Sequence, residues 1–150
     1  MRSTAWASRR SILFDSSVYI TALRAGNNSA IVLERWIKES PLWLSAVVLE
    51  ELYAGSNSAD RRILEKLERD FERANRLLTP NLGDWTLAGR ILSSVAHRHG
   101  YEKIGKARLT NDALIATSAA RNGVIVITTN PRDFALLAEF CPLQWRKRTL

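Results

Sequence analysis

Residues Val124 to Thr128 read VIVIT, an uncharged and almost wholly apolar run. A run of this kind suits a strand covered on both faces, as in a parallel sheet. Before it lies the small, alanine-rich stretch Asn111–Arg121, which reads as a helix closed by Asn122-Gly123. After it comes TTNPRDF (Thr128–Phe134), leading into a helix expected over Asp133–Phe140. The same alternation continues outward. Strands are expected at Ser11–Phe14 and Leu42–Ser45, with a weak last one near Leu143–Trp145. Helices are expected at Ser17–Leu23, Ser29–Lys38 and Ala46–Tyr53, and over a long periodic stretch from Asp60 to Leu78. Ile63, Leu64, Leu67, Phe71, Ala74 and Leu78 share one face of that stretch. Another helix is expected from an Asp84 cap to Gly100, with Trp85, Ala88, Ile91, Leu92 and Val95 turned inward. Alternating strands and helices give an α/β class, a small mostly parallel sheet flanked by helices. In such sheets ligands sit off the carboxyl ends of the strands.

The chain has 150 residues, 46% apolar and 25% charged, a size and balance suited to one domain with a core. It divides into a basic leader (1–11), the domain proper (12–145) and a basic tail (146–150). SRRSILF (Ser8–Phe14) resembles the start of a twin-arginine export signal, but Asp15 and Arg24 interrupt the apolar stretch such a signal requires. No run reaches the roughly 18 uncharged apolar residues of a membrane helix. Cys141 is alone, which rules out an internal disulfide and fits a reducing cytoplasm. The formal charge of +7 tilts the choice of partner toward a polyanion such as nucleic acid.

Four acids stand in unusual surroundings. Asp15 follows the apolar ILF of ILFDSSVYI (Ile12–Ile20). Glu51 lies in LSAVVLEELYAG (Leu44–Gly55), on a mostly apolar helix. Asp112 lies in LTNDALIATSAA (Leu109–Ala120), at what reads as a first turn, and Asp133 lies just past the VIVIT strand. Singly, each has a structural explanation: Asp15 and Asp133 as helix caps, Asp112 as a complement to a helix dipole, Glu51 as a surface residue. Together they would repel one another and be costly to bury. A divalent cation removes both difficulties, and oxygen ligands without a zinc-type His or Cys set point to Mg²⁺ or Mn²⁺. Competing chemistries are poorly represented. His97 and His99 diverge on a helix, Cys141 has no neighbouring His, and neither GxxxxGK[ST], GxGxxG nor GxSxG occurs.

ILFDSSVYI, LSAVVLEELYAG, NDALIATSAA and VITTNPRDF stand in the order and spacing of the PIN domain. From Ile12 to about Phe140 the chain resembles the VapC-type toxins of bacterial toxin–antitoxin pairs. The resemblance implies a Mg²⁺- or Mn²⁺-dependent endoribonuclease. It places the family's acids at Asp15, Glu51 (rather than Glu50) and Asp112, with Asp15 and Asp112 nearest the metal. Ser17 and Thr128 match polar positions that support the site. The fourth acid departs from the pattern. Many relatives carry an acid where Asn130 stands, and others carry one three residues later, as with Asp133. The resemblance further implies an RNA substrate, a cognate antitoxin and a homodimer. Arg132 is a candidate phosphate contact or a solvated surface residue. The alternative is a catalytically inactive PIN-like module that binds RNA or protein.

Overall fold

The computed structural model describes residues 10–26, 41–103 and 107–148; the leader up to residue 9 and the helix expected at Ser29–Lys38 lie outside them. Five strands form one sheet, β1 (Ile12–Phe14), β2 (Leu42–Ser45), β3 (Leu77–Leu78), β4 (Ile125–Thr128) and β5 (Trp145–Lys147). Every neighbouring pair is parallel, in the order β3-β2-β1-β4-β5. The VIVIT reading holds: all four residues of β4 are buried. Around the sheet lie α1 (Ser16–Ala25), α2 (Ala46–Ala54), α3 (Ser58–Arg73), α4 (Leu82–His99), α5 (Ala107–Arg121) and α6 (Pro131–Leu137), with one turn of 3₁₀ helix at Tyr101–Lys103. Leu13, Phe14, Leu44, Val48, Val95, Ile115 and Val126 are among the fully enclosed core residues. No helix among the described residues is long and apolar enough to cross a membrane.

Several local expectations are corrected. The helix expected through Leu78 stops at Arg73. Asn75 takes a left-handed conformation (φ 56°), and the Asn75 and Arg76 N–H groups donate back to the Glu72 and Phe71 carbonyls. This double closure ends a helix and redirects the chain, which frees Leu77 and Leu78 to pair with β2. Ile63 and Ala74, expected on the inner face, are exposed, whereas Leu64 and Phe71 are buried. The cap of α4 is Asn81, not Asp84. Asn81 and Asp84 exchange side-chain-to-backbone hydrogen bonds of 2.9 Å each, a reciprocal capping box. Trp85, expected inward, lies off the Asp84, Ala88, Ile91 and Val95 face and is 56% exposed.

Helix α5 begins at Ala107, so Asp112 lies in its second turn rather than its first. The last helix begins at Pro131, placing Asn130 at its N-cap and Asp133 in its first turn. The last strand starts at Trp145 and takes in Arg146 and Lys147 from the basic tail.

Candidate active site

The strand order fixes where a site can form. From β1 the chain moves outward to β2 and β3 on one side, then returns to β4 and β5 on the other. The order therefore reverses between β1 and β4, and the crevice above such a reversal is the usual ligand position in parallel sheets. Asp15 immediately follows β1, and Thr128 ends β4.

These two residues are joined. Thr128 Oγ1 donates to Asp15 Oδ2 at 2.6 Å, and Ser17 Oγ donates a short hydrogen bond to Asp15 Oδ1. Each hydroxyl oxygen in turn accepts a backbone N–H from the loop after β4. Thr129 N–H donates to Ser17 Oγ at 3.2 Å, and Asn130 N–H donates to Thr128 Oγ1 at 2.9 Å. The Asp15 N–H itself donates to the Ile127 carbonyl at 3.1 Å. Both carboxylate oxygens are thus fixed in direction by a network spanning β1, α1 and the β4–α6 loop.

Asp15 is only 5% exposed, and burial raises its carboxyl above the ordinary value, with the Ser17 and Thr128 hydroxyls pulling the other way. Among the described residues no Lys or Arg pairs with it.

Asp112 is 7% exposed. Helix α5 leads into β4 through a tight turn at Gly123 (φ 65°) and packs against that strand, so helix and strand run in opposite directions. Asp112 lies roughly 15 Å back along the helix from that turn, and β4 is about 13 Å long. The helix therefore brings Asp112 level with the carboxyl ends of the strands, the Asp15 end of the sheet. Glu51 lies in the second turn of α2, which starts directly from β2 at its Ser45 cap. Its Oε1 is shielded from solvent. Glu51 borders a groove of about 200 Å³ between α1 and α2, whose lining includes Ile20, Arg24, Leu52 and Asp60.

The remaining expected residues sit on the loop and the start of α6. Asn130 and Arg132 are exposed, and Asp133 is half-buried. The Asp133 side chain makes no ion pair among the described residues. No three His, Cys, Asp or Glu side chains among those residues converge closely enough to hold one metal ion. The donors present nevertheless suit a hard cation. Asp15 is a buried, oriented carboxylate with no cationic partner among the described residues, and a Mg²⁺-type ion needs only one or two carboxylates because it keeps several waters.

Among the charged contacts that escaped the sequence reading, one reaches a buried acid. Arg121, at the end of α5, donates Nε and Nη2 to the buried Asp84 carboxylate at 2.9–3.0 Å, and Thr117 Oγ1 donates to the Asp84 carbonyl at 3.2 Å. The residues lie 37 positions apart, and no local spacing signals the pair.

The chain belongs to the PIN domain family, which matches residues 12–139. Its fold is similar to that of VapBC from Salmonella typhimurium bound to DNA, with a TM-score of 0.66 and 20% identity over 92% of this chain and 98% of the other. VapBC2 from Rickettsia felis, bound to a DNA fragment from its promoter, gives a TM-score of 0.62 and 19% identity over 93% and 99%. FitAcB from Neisseria gonorrhoeae gives 0.61 and 24% over 89% and 95%. The expected PIN-like architecture is borne out across nearly the whole chain. No curated protein matches the sequence.

Proposed function

We propose that the chain is a metal-dependent endoribonuclease, the toxin of a toxin–antitoxin pair acting in the cytoplasm. The observation that carries this reading is the buried Asp15 carboxylate at the sheet's reversal point, oriented by two neutral hydroxyls and paired with no cation among the described residues. A buried anion in that condition is expensive unless compensated, and a divalent ion is the compensation its oxygen donors fit.

Asp15 and Asp112 would hold Mg²⁺ or Mn²⁺, with Glu51 and Asp133 as further acids of the site. When bound, the ion supplies an activated water and stabilises developing charge on a phosphodiester. Ser17 and Thr128 fix the direction of Asp15. Asn130, on the loop after β4, would orient water, and Arg132 would meet a phosphate. The net charge of +7 offsets the repulsion between an acidic site and RNA. The VapBC and FitAB character of the structural neighbours supports a cognate antitoxin as partner, and a homodimer accords with the resemblance.

Asn130 in an acid's place, together with the lack of a three-carboxylate cluster among the described residues, favours a second reading. This is a PIN-like module that binds RNA or protein without cutting. Sequencing RNA ends after expression of wild type beside Asp15→Asn separates the two and names the target. New ends that appear with wild type and vanish with Asp15→Asn support the nuclease. RNA binding indifferent to EDTA, with no cleavage under Mg²⁺ or Mn²⁺, supports the module.

A further inference from the structure

We infer that β5 is a docking strand for the phosphates of single-stranded RNA, carried by Arg146, Lys147 and Arg148 beside the Asp15 site. The inference rests on the reading of that site as one that acts on RNA.

The register places these residues. β5 runs parallel to β4 with Ile127 opposite Arg146 and Thr128 opposite Lys147. The Arg148 N–H donates to the Thr128 carbonyl at 2.7 Å. Thr128 is the residue that holds Asp15 Oδ2. The basic run therefore begins one strand away from a residue in contact with Asp15, at the same end of the sheet. Adjacent strands lie about 4.8 Å apart, so β5 runs only about 10 Å from β1. Arg132, exposed in the first turn of α6, extends the positive rim at that end.

Position beside Thr128, rather than pairing, distinguishes these cations, and ion pairing leaves them uncommitted as it does most others among the described residues. Lys66 is met by Asp70, Arg98 by Glu139 and Arg121 by Asp84. Among the described residues, no acid pairs with Arg146, Lys147, Arg148 or Arg132. Arg146 and Lys147 are exposed. Successive residues of a strand point to opposite faces, so charge stands on both sides of this sheet edge, where a flexible single strand can bend around it. A basic surface that tracks the backbone is how sequence-tolerant binding to single strands is achieved.

The test measures binding rather than cleavage. Asp15→Asn protein, with and without R146Q/K147Q/R148Q, is titrated with a fluorescein-labelled single-stranded RNA of mixed sequence at several salt concentrations. Each lost phosphate contact lowers the slope of log K against log salt by about 0.7. The triple variant is expected to lose about 1.4 to 2 from that slope, with an unchanged melting temperature. R146K/R148K, which keeps the charge, is expected to retain the slope. If the triple variant melts early, Arg146→Gln and Lys147→Gln are titrated singly, and a loss of about 0.7 from either sustains the inference. An unchanged slope overturns it, as does loss of antitoxin binding with RNA binding intact. A slope that falls while wild type cleaves no RNA sustains the docking strand and removes the nuclease reading alone.

Discussion

Thr128 Oγ1 donates to Asp15 Oδ2 at 2.6 Å while accepting the Asn130 N–H at 2.9 Å. One hydroxyl therefore aims the central carboxylate and fastens the loop that follows β4. Thr128→Val keeps the shape of the side chain and removes both bonds. A buried acceptor and a loop N–H lose their partner, which costs about 1–3 kcal/mol, read as a lower midpoint in urea. Misaiming Asp15 is also expected to slow RNA cleavage by about tenfold or more. Ser17→Ala is expected to cost less, because Ser17 is half-buried and water can take the place of its hydroxyl.

Burial holds the Asp15 carboxyl above its ordinary value. The native state thus binds that proton more tightly than the unfolded chain does. Its contribution to stability is full below the ordinary carboxylate value and is lost as pH rises through the raised one. At neutral pH, without metal, the ionised carboxylate is a burden on the fold. Asp15→Asn is expected to melt above wild type in EDTA at neutral pH, with the gap closing in acid. A lower melting temperature for Asp15→Asn at neutral pH contradicts this account.

Metal acts on the same balance from the other side. A ligand that binds only the native state stabilises it by about 2.7 kcal/mol at one hundred times its dissociation constant. Wild type is expected to melt higher as Mg²⁺ or Mn²⁺ is added, and Asp15→Asn and Asp112→Asn are expected to respond far less. A Glu51→Gln protein that responds like wild type would place Glu51 outside the immediate metal shell.

Arg121 closes a charged contact with Asp84 between the end of α5 and the start of α4. Asp84 is buried and also serves the capping box, whereas the Arg121 side chain is 41% exposed. Removing the arginine leaves a buried carboxylate short of its cation, a loss that solvent partly screens. Arg121→Met is expected to cost about 1–2 kcal/mol in chemical denaturation. Arg121→Met with Asp84→Asn is expected to cost less than the sum of the two single changes.

The sheet was legible where the pattern is unambiguous. ILF, LWLS and VIVIT are short, largely apolar runs, and they form β1, β2 and β4 within a residue of expectation. What escaped depends on information that hydrophobic spacing does not hold. Leu77-Leu78 continues the period of the preceding helix, and only the left-handed turn at Asn75 moves it into the sheet. Trp85 reads as core by its chemistry, yet Asp84, Ala88, Ile91 and Val95 form the buried face of α4 and leave Trp85 outside it. Asp15 and Thr128 meet because neighbouring strands end there, and Ser17 joins them from the first turn of α1. The Asp84–Arg121 contact depends on how two helices dock, and nothing in the local sequence encodes that.

Among the described residues, the sheet of five parallel strands has two open sides, each a row of backbone groups able to recruit a strand from another molecule. At one side β3 is only two residues long and offers little to extend. At the other, β5 presents Arg146 and Lys147 from its last two positions. A strand that approached there would bring its own backbone against two charges that lose water on contact. The same basic residues thus give this side a barrier to self-association, and they hold the outer strand in a form that discourages fibrous growth while leaving it open to a flexible polyanion.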